Sequence, residues 1–319
     1  FLQILDSDGL QTACKKFGIS NQIAMKHLVP EEYKKKGSMP QDQLAKELSR
    51  LTGIEFEQNV RSIVPGNNRL EIDILNRELK ISIEFNGAFW HHEDRIKDDI
   101  QKAKIMREHG WNHIVVDEAF YWQHGADPIA NLIKPKKTIH AHNLAMRSPQ
   151  KDEIRTFLDT HHIQGYAPYR AAYGLYDGNQ LIQVMTFGKP RYSKKHEWEI
   201  LRLASHSDYR VTGGAERLFN RFLTEHDPKS IIAYCDFRFF SGNVYERLGM
   251  SLASHDDPGY VWYDYDTKNV FPQYQTQKHK LPKLLGESFD PSLTEVQNME
   301  NAGYVQCNDL GQLMFEWRA

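Results

Sequence analysis

Very little in this sequence could fasten the chain by anything except its own packing. Three cysteines occur in 319 residues. Cys14, Cys235 and Cys307 lie far apart, and none forms a C-x-x-C pair, which excludes a disulfide framework and a cysteine-built zinc site. A reducing, cytoplasmic compartment fits that usage (the host cytoplasm, if the chain is phage-encoded). No apolar run approaches the roughly 20 residues that a membrane helix needs. Neither charge sign is in excess: 40 Lys and Arg face 42 Asp and Glu, a net charge of −2. That excludes a uniformly basic coat and leaves local clusters, Lys34-Lys35-Lys36, Lys134 to Lys137 and Lys194-Lys195, as the places for phosphate contact. The sequence has no internal repeat and no low-complexity tract. Phe1-Leu2-Gln3-Ile4 has neither an initiator Met nor a basic leader, so it reads as a trimmed or internal boundary and not as a signal peptide.

What is present is ordinary soluble-protein composition, 40% hydrophobic and 26% charged, in a chain long enough for two or three domains. The pattern predicts a multi-domain α/β protein in four parts. Residues 1–36 read as a helix-turn-helix: a helix over 10–17, a break at Gly18-Ile19-Ser20, and a second helix over 21–28 capped by Ser20. Small Cys14 lies where a second helix would cross. Gln22, Lys26 and His27, with Lys34, Lys35 and Lys36, are then the candidate contacts to double-stranded DNA. Residues 37–138 read helix, strand, strand, helix, strand around a small sheet. Residues 139–268 read as a second α/β unit, with strands near 173–175, 181–187, 198–203, 230–235 and 261–265 and helices over 214–224 and 243–248. Residues 269–319 predict a helix capped by Ser292 with Glu295, then a hairpin turning at Asn308-Asp309-Leu310-Gly311. Lys134-Pro135-Lys136-Lys137 reads as a linker.

Chemistry concentrates at Asp73 and just beyond. Glu84 and Asn86 are two apart on a strand, hence on one face, and a hairpin brings that face beside Asp73. Paired carboxylates on adjacent strands suit a hard cation such as Mg²⁺ or Mn²⁺. His91 and His92 follow in one short segment, and His91 is the candidate general base. Asp99 opens the next helix, and Glu47 on the preceding amphipathic helix is a further candidate. The run Ile83-Glu84-Phe85-Asn86-Gly87-Ala88-Phe89-Trp90-His91-His92, with Asp99, Gly110-Trp111 and Ile114 to Glu118, resembles the core of very-short-patch (Vsr) repair endonucleases. It is similar also to the phage-associated EDxHD homing endonucleases of the PD-(D/E)XK superfamily. That resemblance implies a metal-dependent DNA endonuclease of the homing type, with Glu47, Asp73, His91 and Asp99 catalytic. Glu84 is not the Vsr residue at its place but resembles the Glu-x-Asp-Gly pattern of other restriction-like nucleases, and joins them as a catalytic residue that shares the metal with Asp73. Asn86 stands where related nucleases often keep a lysine.

The second α/β unit carries a separate signal. Arg210-Val211-Thr212-Gly213-Gly214-Ala215 resembles the Arg/Gln-x-x-Gly-x-Gly/Ala loop of GNAT acetyltransferases, and Asn243 to Met250 is similar to a later helix and turn of that family. The resemblance implies a loop that holds the coenzyme A pyrophosphate through Arg210, Gly213, Gly214 and Ala215, with Tyr245 placed to protonate the departing thiolate. Because fold does not fix function, this unit is expected to be a scaffold for the nuclease. The alternative is a GNAT-type acyltransferase acting on nucleic acid or protein, with the nuclease-like part docking DNA.

Overall fold

The computed structural model describes residues 39–319 except 67–69, 89–92 and 265–266, together with Leu2, Ala13, Cys14, Lys16 to Gly18, Ala24 and Leu28. The predicted DNA contacts Gln22, Lys26, His27 and Lys34 to Lys36 lie outside the described residues, as do His91 and His92. Among the described residues no helix is long and apolar enough to cross a membrane, and Cys14, Cys235 and Cys307 are free and buried.

The first sheet follows the predicted order with one addition. Helix α1 (Met39–Thr52) forms because Leu44, Ala45 and Leu48 recur on one face, and all three are buried. Strand β1 (Glu57–Arg61), which alternation does not predict, pairs with β2 (Glu71–Asn76), and β2 with β3 (Ile81–Asn86), both antiparallel. Helix α2 (Glu93–Glu108) crosses over to β4 (Asn112–Asp117), parallel to β3, because a parallel neighbour requires a crossover connection. Two short helices follow, α3 (Glu118–His124), capped by the Asp117 carboxylate, and α4 (Asp127–Ile133).

The expected linker is structural. Lys134 closes α4, and Lys137 opens β5 (Lys137–His140). The chain continues through β6 (Ala145–Arg147), α5 (Lys151–His161), β7 (Ala171–Asp177), β8 (Gln180–Gly188), β9 (Trp198–Ser205), β10 (Tyr209–Thr212), α6 (Gly214–His226), β11 (Ser230–Asp236), α7 (Asn243–Arg247) and β12 (Ser251–His255). Strand β5 pairs parallel with β10 in a separate ribbon. Its partner leads straight into the Gly213-Gly214 turn.

The C-terminal hairpin does not form. Strands β13 (Tyr260–Tyr263), β14 (Val270–Pro272) and β15 (Val305–Asn308) make a three-stranded sheet, beside the short helices α8 (Gln273–Thr276), α9 (Leu281–Leu285) and α10 (Glu295–Asn301). The last strand, β16 (Gln312–Arg318), leaves β15 and enters the large sheet, whose order is β12-β16-β11-β9-β8-β7-β6. Gly311 at φ +78° redirects the chain there, and β16 fills the gap between β11 and β12 that would otherwise expose two strand edges. Helix α10 takes its cap from Thr294, with Gln297 completing the box; Ser292 is engaged instead by Asp290, to which its hydroxyl donates at 2.6 Å.

The first and the large sheet are bolted together by arginines. Arg107 donates to the carbonyls of His113 (2.9 Å) and Phe237 (2.8 Å), and Val115 N–H donates to the Arg238 carbonyl at 2.9 Å. Arg238 pairs with Asp117 at the end of β4 and with Asp236 at the end of β11. Both carboxylates are 5% exposed. One hydrophobic core accordingly spans both, with Ala103 and Val115 packed among residues of the large sheet.

Candidate active site

Strands β9 and β11 run parallel but stay together only briefly, Trp198 to Ile200 against Ile231 to Ala233. The separation has a local cause. Against β8, Thr186 faces Arg202 and Phe187 faces Ile200, so Leu201 is an extra residue, a β-bulge. Beyond it β9 keeps only β8, while β11 continues along β16 to the pair Asp236–Gln312. A cavity of about 1380 Å³ reaches this gap: Leu203 and Ser205, Tyr234 and Asp236, and Tyr245 from α7 line part of it, and residues of α3 and α4 such as Phe120, His124 and Asn131 line another part. The backbone on its β9 wall is available. His206 N–H donates to the Ile182 carbonyl, which sets the phase of the ladder: Arg202 and Ala204 bond to β8, and the amides of Leu203 and Ser205 point to the open side. The carbonyl of Leu201 is taken by the Arg202 guanidinium at 2.7 Å.

At the end of that wall, β10 turns through Gly213 into α6. Gly213 sits at φ +73°, and the helix has no side-chain cap. Its first-turn N–H groups are thus free for an outside acceptor, and the dipole favours an anion there. A Cβ on Gly213 would meet nothing within 4 Å, whereas one on Gly214 would overlap the Gln183 amide and stand 2.6 Å from Val211 Cγ1. Space therefore lies over Gly213, and Gly214 is needed for close packing. Gln183, 5% exposed, leaves its Oε1 without a partner at this turn. Arg210 is exposed one strand-width from Thr138.

Tyr245 faces the cleft from the β11 side, its ring 5.3 Å from Phe315. Burial, then Cys235, holds its phenol well above the usual range, with Arg202 pulling the other way. It stays protonated near neutral pH, and its hydroxyl has no hydrogen-bond partner among the described residues. The sequence pointed to Arg210, Gly213, Gly214, Ala215 and Tyr245; Tyr245 lines the cleft, whereas Arg210 and Gly213 to Ala215 form the turn from β10 into α6 and are not among the cleft-lining residues. The structure adds Gln183, the Leu201 bulge and the open amides of Leu203 and Ser205. The adjacent pair Ile200-Leu201, where the alternation of Trp198-Glu199-Ile200 and Leu201-Arg202-Leu203 slips by one, is the local signal that could have found the bulge.

The acidic group of the first sheet has a different character. Asp73 Oδ2 accepts from Phe85 N–H (2.8 Å), Asn86 donates to Asp99 (3.0 Å), and Lys102 forms a short ion pair with Glu84. The group thus assembles Asp73, Glu84, Asn86 and Asp99, as the spacing implied, but an ammonium from α2 already stands against Glu84. Among the described residues no three His, Cys, Asp or Glu are arranged to hold a metal ion, so the expectation of Mg²⁺ or Mn²⁺ on Asp73 and Glu84 gains no support. Glu47, on α1, accepts from Gln43 and bonds to Tyr121 of α3. Burial first, then Asp73, lifts the Glu84 carboxyl to about 8, with Lys102 opposing and Asp99 adding to the rise. A carboxyl raised in the folded state gives stability that is whole below its unfolded value of about 4.5 and lost as pH climbs through 8. Glu84→Gln should flatten that loss. Urea melts at pH 5 and pH 9 check it, with the wild type losing on the order of 2–4 kcal/mol more than the variant between the two. Equal pH dependence in both proteins would show that Glu84 titrates normally.

No protein-family model matches the chain, and no curated protein sequence does. Solved structures do match. One is a Bacillus subtilis acetyltransferase in complex with CoA, 12% identical, covering 55% of this chain and 99% of its own at a TM-score of 0.32. Another is the ribosomal-protein-S18-alanine N-acetyltransferase of Escherichia coli, 8% identical, covering 55% and 93% at 0.32. A third, N-acetylglutamate synthase of Neisseria gonorrhoeae complexed with coenzyme A and N-acetyl-glutamate, is 12% identical and covers 88% of this chain and 59% of its own at 0.31. These are acetyltransferases. The expected homing-type, metal-dependent endonuclease has no counterpart among them.

Proposed function

We propose that this chain is an acyltransferase that takes its acyl group from a coenzyme A thioester and passes it to a nucleic acid or a protein. The observation that carries the reading is the parting of β9 from β11 at the Leu201 bulge, beside an uncapped, glycine-led helix. Donor phosphates fit the N–H groups of Gly213 to Ala215 and the Arg210 guanidinium; negative charge at an open helix N-terminus is stabilised by both dipole and hydrogen bonds. The free amides of Leu203 and Ser205 suit an extended amide-bearing arm laid along β9 as a substitute strand. The thioester supplies an activated acyl carbon. As the acceptor's nucleophile bonds to it and the C–S bond breaks, Tyr245, held neutral and unpartnered, donates its proton to the leaving sulfur, and the proton that the nucleophile sheds passes to water and restores the phenol.

Calorimetric titration with acetyl-coenzyme A tests the reading. Micromolar binding is the expected result, and absence of binding at millimolar donor would end it. Tyr245→Phe keeps the ring against Phe315 and removes only the hydroxyl. It should bind the donor normally while lowering thiol release by about 10²–10⁴-fold. Undiminished turnover in that variant would take the proton donor elsewhere.

A further inference from the structure

The segment from Gln273 to Lys283 lies outside the strands of the first and the large sheet. It is firmly pinned from within. Thr276 is fully buried and its hydroxyl donates to Glu295 at 3.0 Å. Leu281 is fully buried against Trp262 and Met299. The Lys280 ammonium donates to the Tyr274 carbonyl and stands 5.8 Å from that tyrosine's ring centre. Between these anchors the side chains turn outward: Gln273, Tyr274, Gln275, Gln277, Lys278, His279 and Lys283 are exposed. Tyr274 is 62% exposed, a large ring held in solvent by a fixed backbone.

The charge is one-sided. Among the described residues none of Lys278, Lys280 and Lys283 forms an ion pair. Of the acids nearby, Asp290 accepts from the Ser292 N–H at 2.8 Å and hydroxyl at 2.6 Å and feels the Lys278 charge without pairing with it, and Glu295 accepts from Thr276. Unpaired ammonium groups beside an exposed ring and three amide side chains match a ligand with anionic links, flat faces and hydrogen-bonding edges. An acidic peptide offers the first feature without the second. A duplex hides its flat faces inside the stack.

We propose that residues 273–283 bind single-stranded nucleic acid, with Tyr274 stacked on an unpaired base and Lys278 and Lys283 on phosphates. Stacking on an aromatic ring and phosphate neutralisation are the two general components of such binding. The inference uses none of the residues of the acyl-donor cleft and stands independently of it.

Fluorescence anisotropy of the full chain with a labelled oligothymidylate tests it. Tyr274→Ala should weaken binding roughly tenfold or more. Lys278→Ala and Lys283→Ala should each lower the slope of log K against log salt by about 0.7, the counterion release of one single-strand phosphate contact. Thr276 and Leu281 are untouched, and near-ultraviolet circular dichroism confirms that each variant is folded. Should a variant unfold, Lys278→Gln and Tyr274→Phe give a second pair, the first losing salt slope and the second retaining affinity. Absence of binding at low salt overturns the proposal. So does wild-type affinity in Tyr274→Ala, tighter binding of the matching duplex, or equal competition by polyglutamate.

Discussion

Gly213→Glu abolishes donor binding: the dissociation constant for acetyl-coenzyme A rises by more than about 100-fold, about 3 kcal/mol. Two effects combine. A side chain at φ +73° sits in the left-handed region, at a strain of roughly 1–2 kcal/mol. The new carboxylate also takes the place of the phosphate at the N-terminus of α6, where dipole and free N–H groups hold it. The fold survives, because nothing stands within 4 Å of the added Cβ. Gly213→Ala carries the strain without the charge and should lose much less affinity. Calorimetry on the two variants separates the effects; a glutamate variant that binds like wild type would mean that the donor lies elsewhere.

Arg238→Ala should be the most destabilising single change outside the apolar core, at roughly 3–5 kcal/mol. Its guanidinium lies between the carboxylates of Asp117 and Asp236, both buried, one at the end of each sheet. Truncation leaves two like charges facing each other without a counterion, and Asp117 must still cap α3 through Phe120 N–H at 2.8 Å. Replacing both aspartates by asparagine in the same background should restore most of the loss, because the desolvated charges are then gone. Urea denaturation measures both variants, and a cost under about 1 kcal/mol for Arg238→Ala would show that the two sheets hold together without it.

Local patterning was a good guide where one face of an element is buried. The apolar spacing of Leu44, Ala45 and Leu48 reads directly as α1, and the apolar runs 181–187, 198–203 and 230–235 read as central strands. It was blind where an element is exposed. Strand β1 is mostly solvent-facing, and β5 has only Ile139 turned to the core, so neither shows alternation. It erred on Asn308 to Gly311. A polar turn between two strands has the local chemistry of a hairpin, yet β15 and β16 enter different sheets, because the gap beside β11 is a property of the assembled sheet.

The candidate sites divide along the same line. By itself the sequence determined which side chains are chemically able to act: a glycine-led turn into a helix with Arg210, a tyrosine on a later helix, and carboxylates at Asp73 and Glu84 on neighbouring strands. Those follow from residue type, spacing and strand period, which are local. Only the tertiary structure decided what each group faces. It set Lys102, from a helix 18 residues on, against Glu84, where strand spacing alone left room for a cation. It turned Glu47 to Tyr121. It parted β9 from β11 beyond the Leu201 bulge; the slipped alternation at Ile200-Leu201 marks the bulge, but not the loss of a partner strand that lies about thirty residues on. A carboxylate or a phenol acts through its environment, and that environment is built by residues from elsewhere in the chain, which local spacing does not encode.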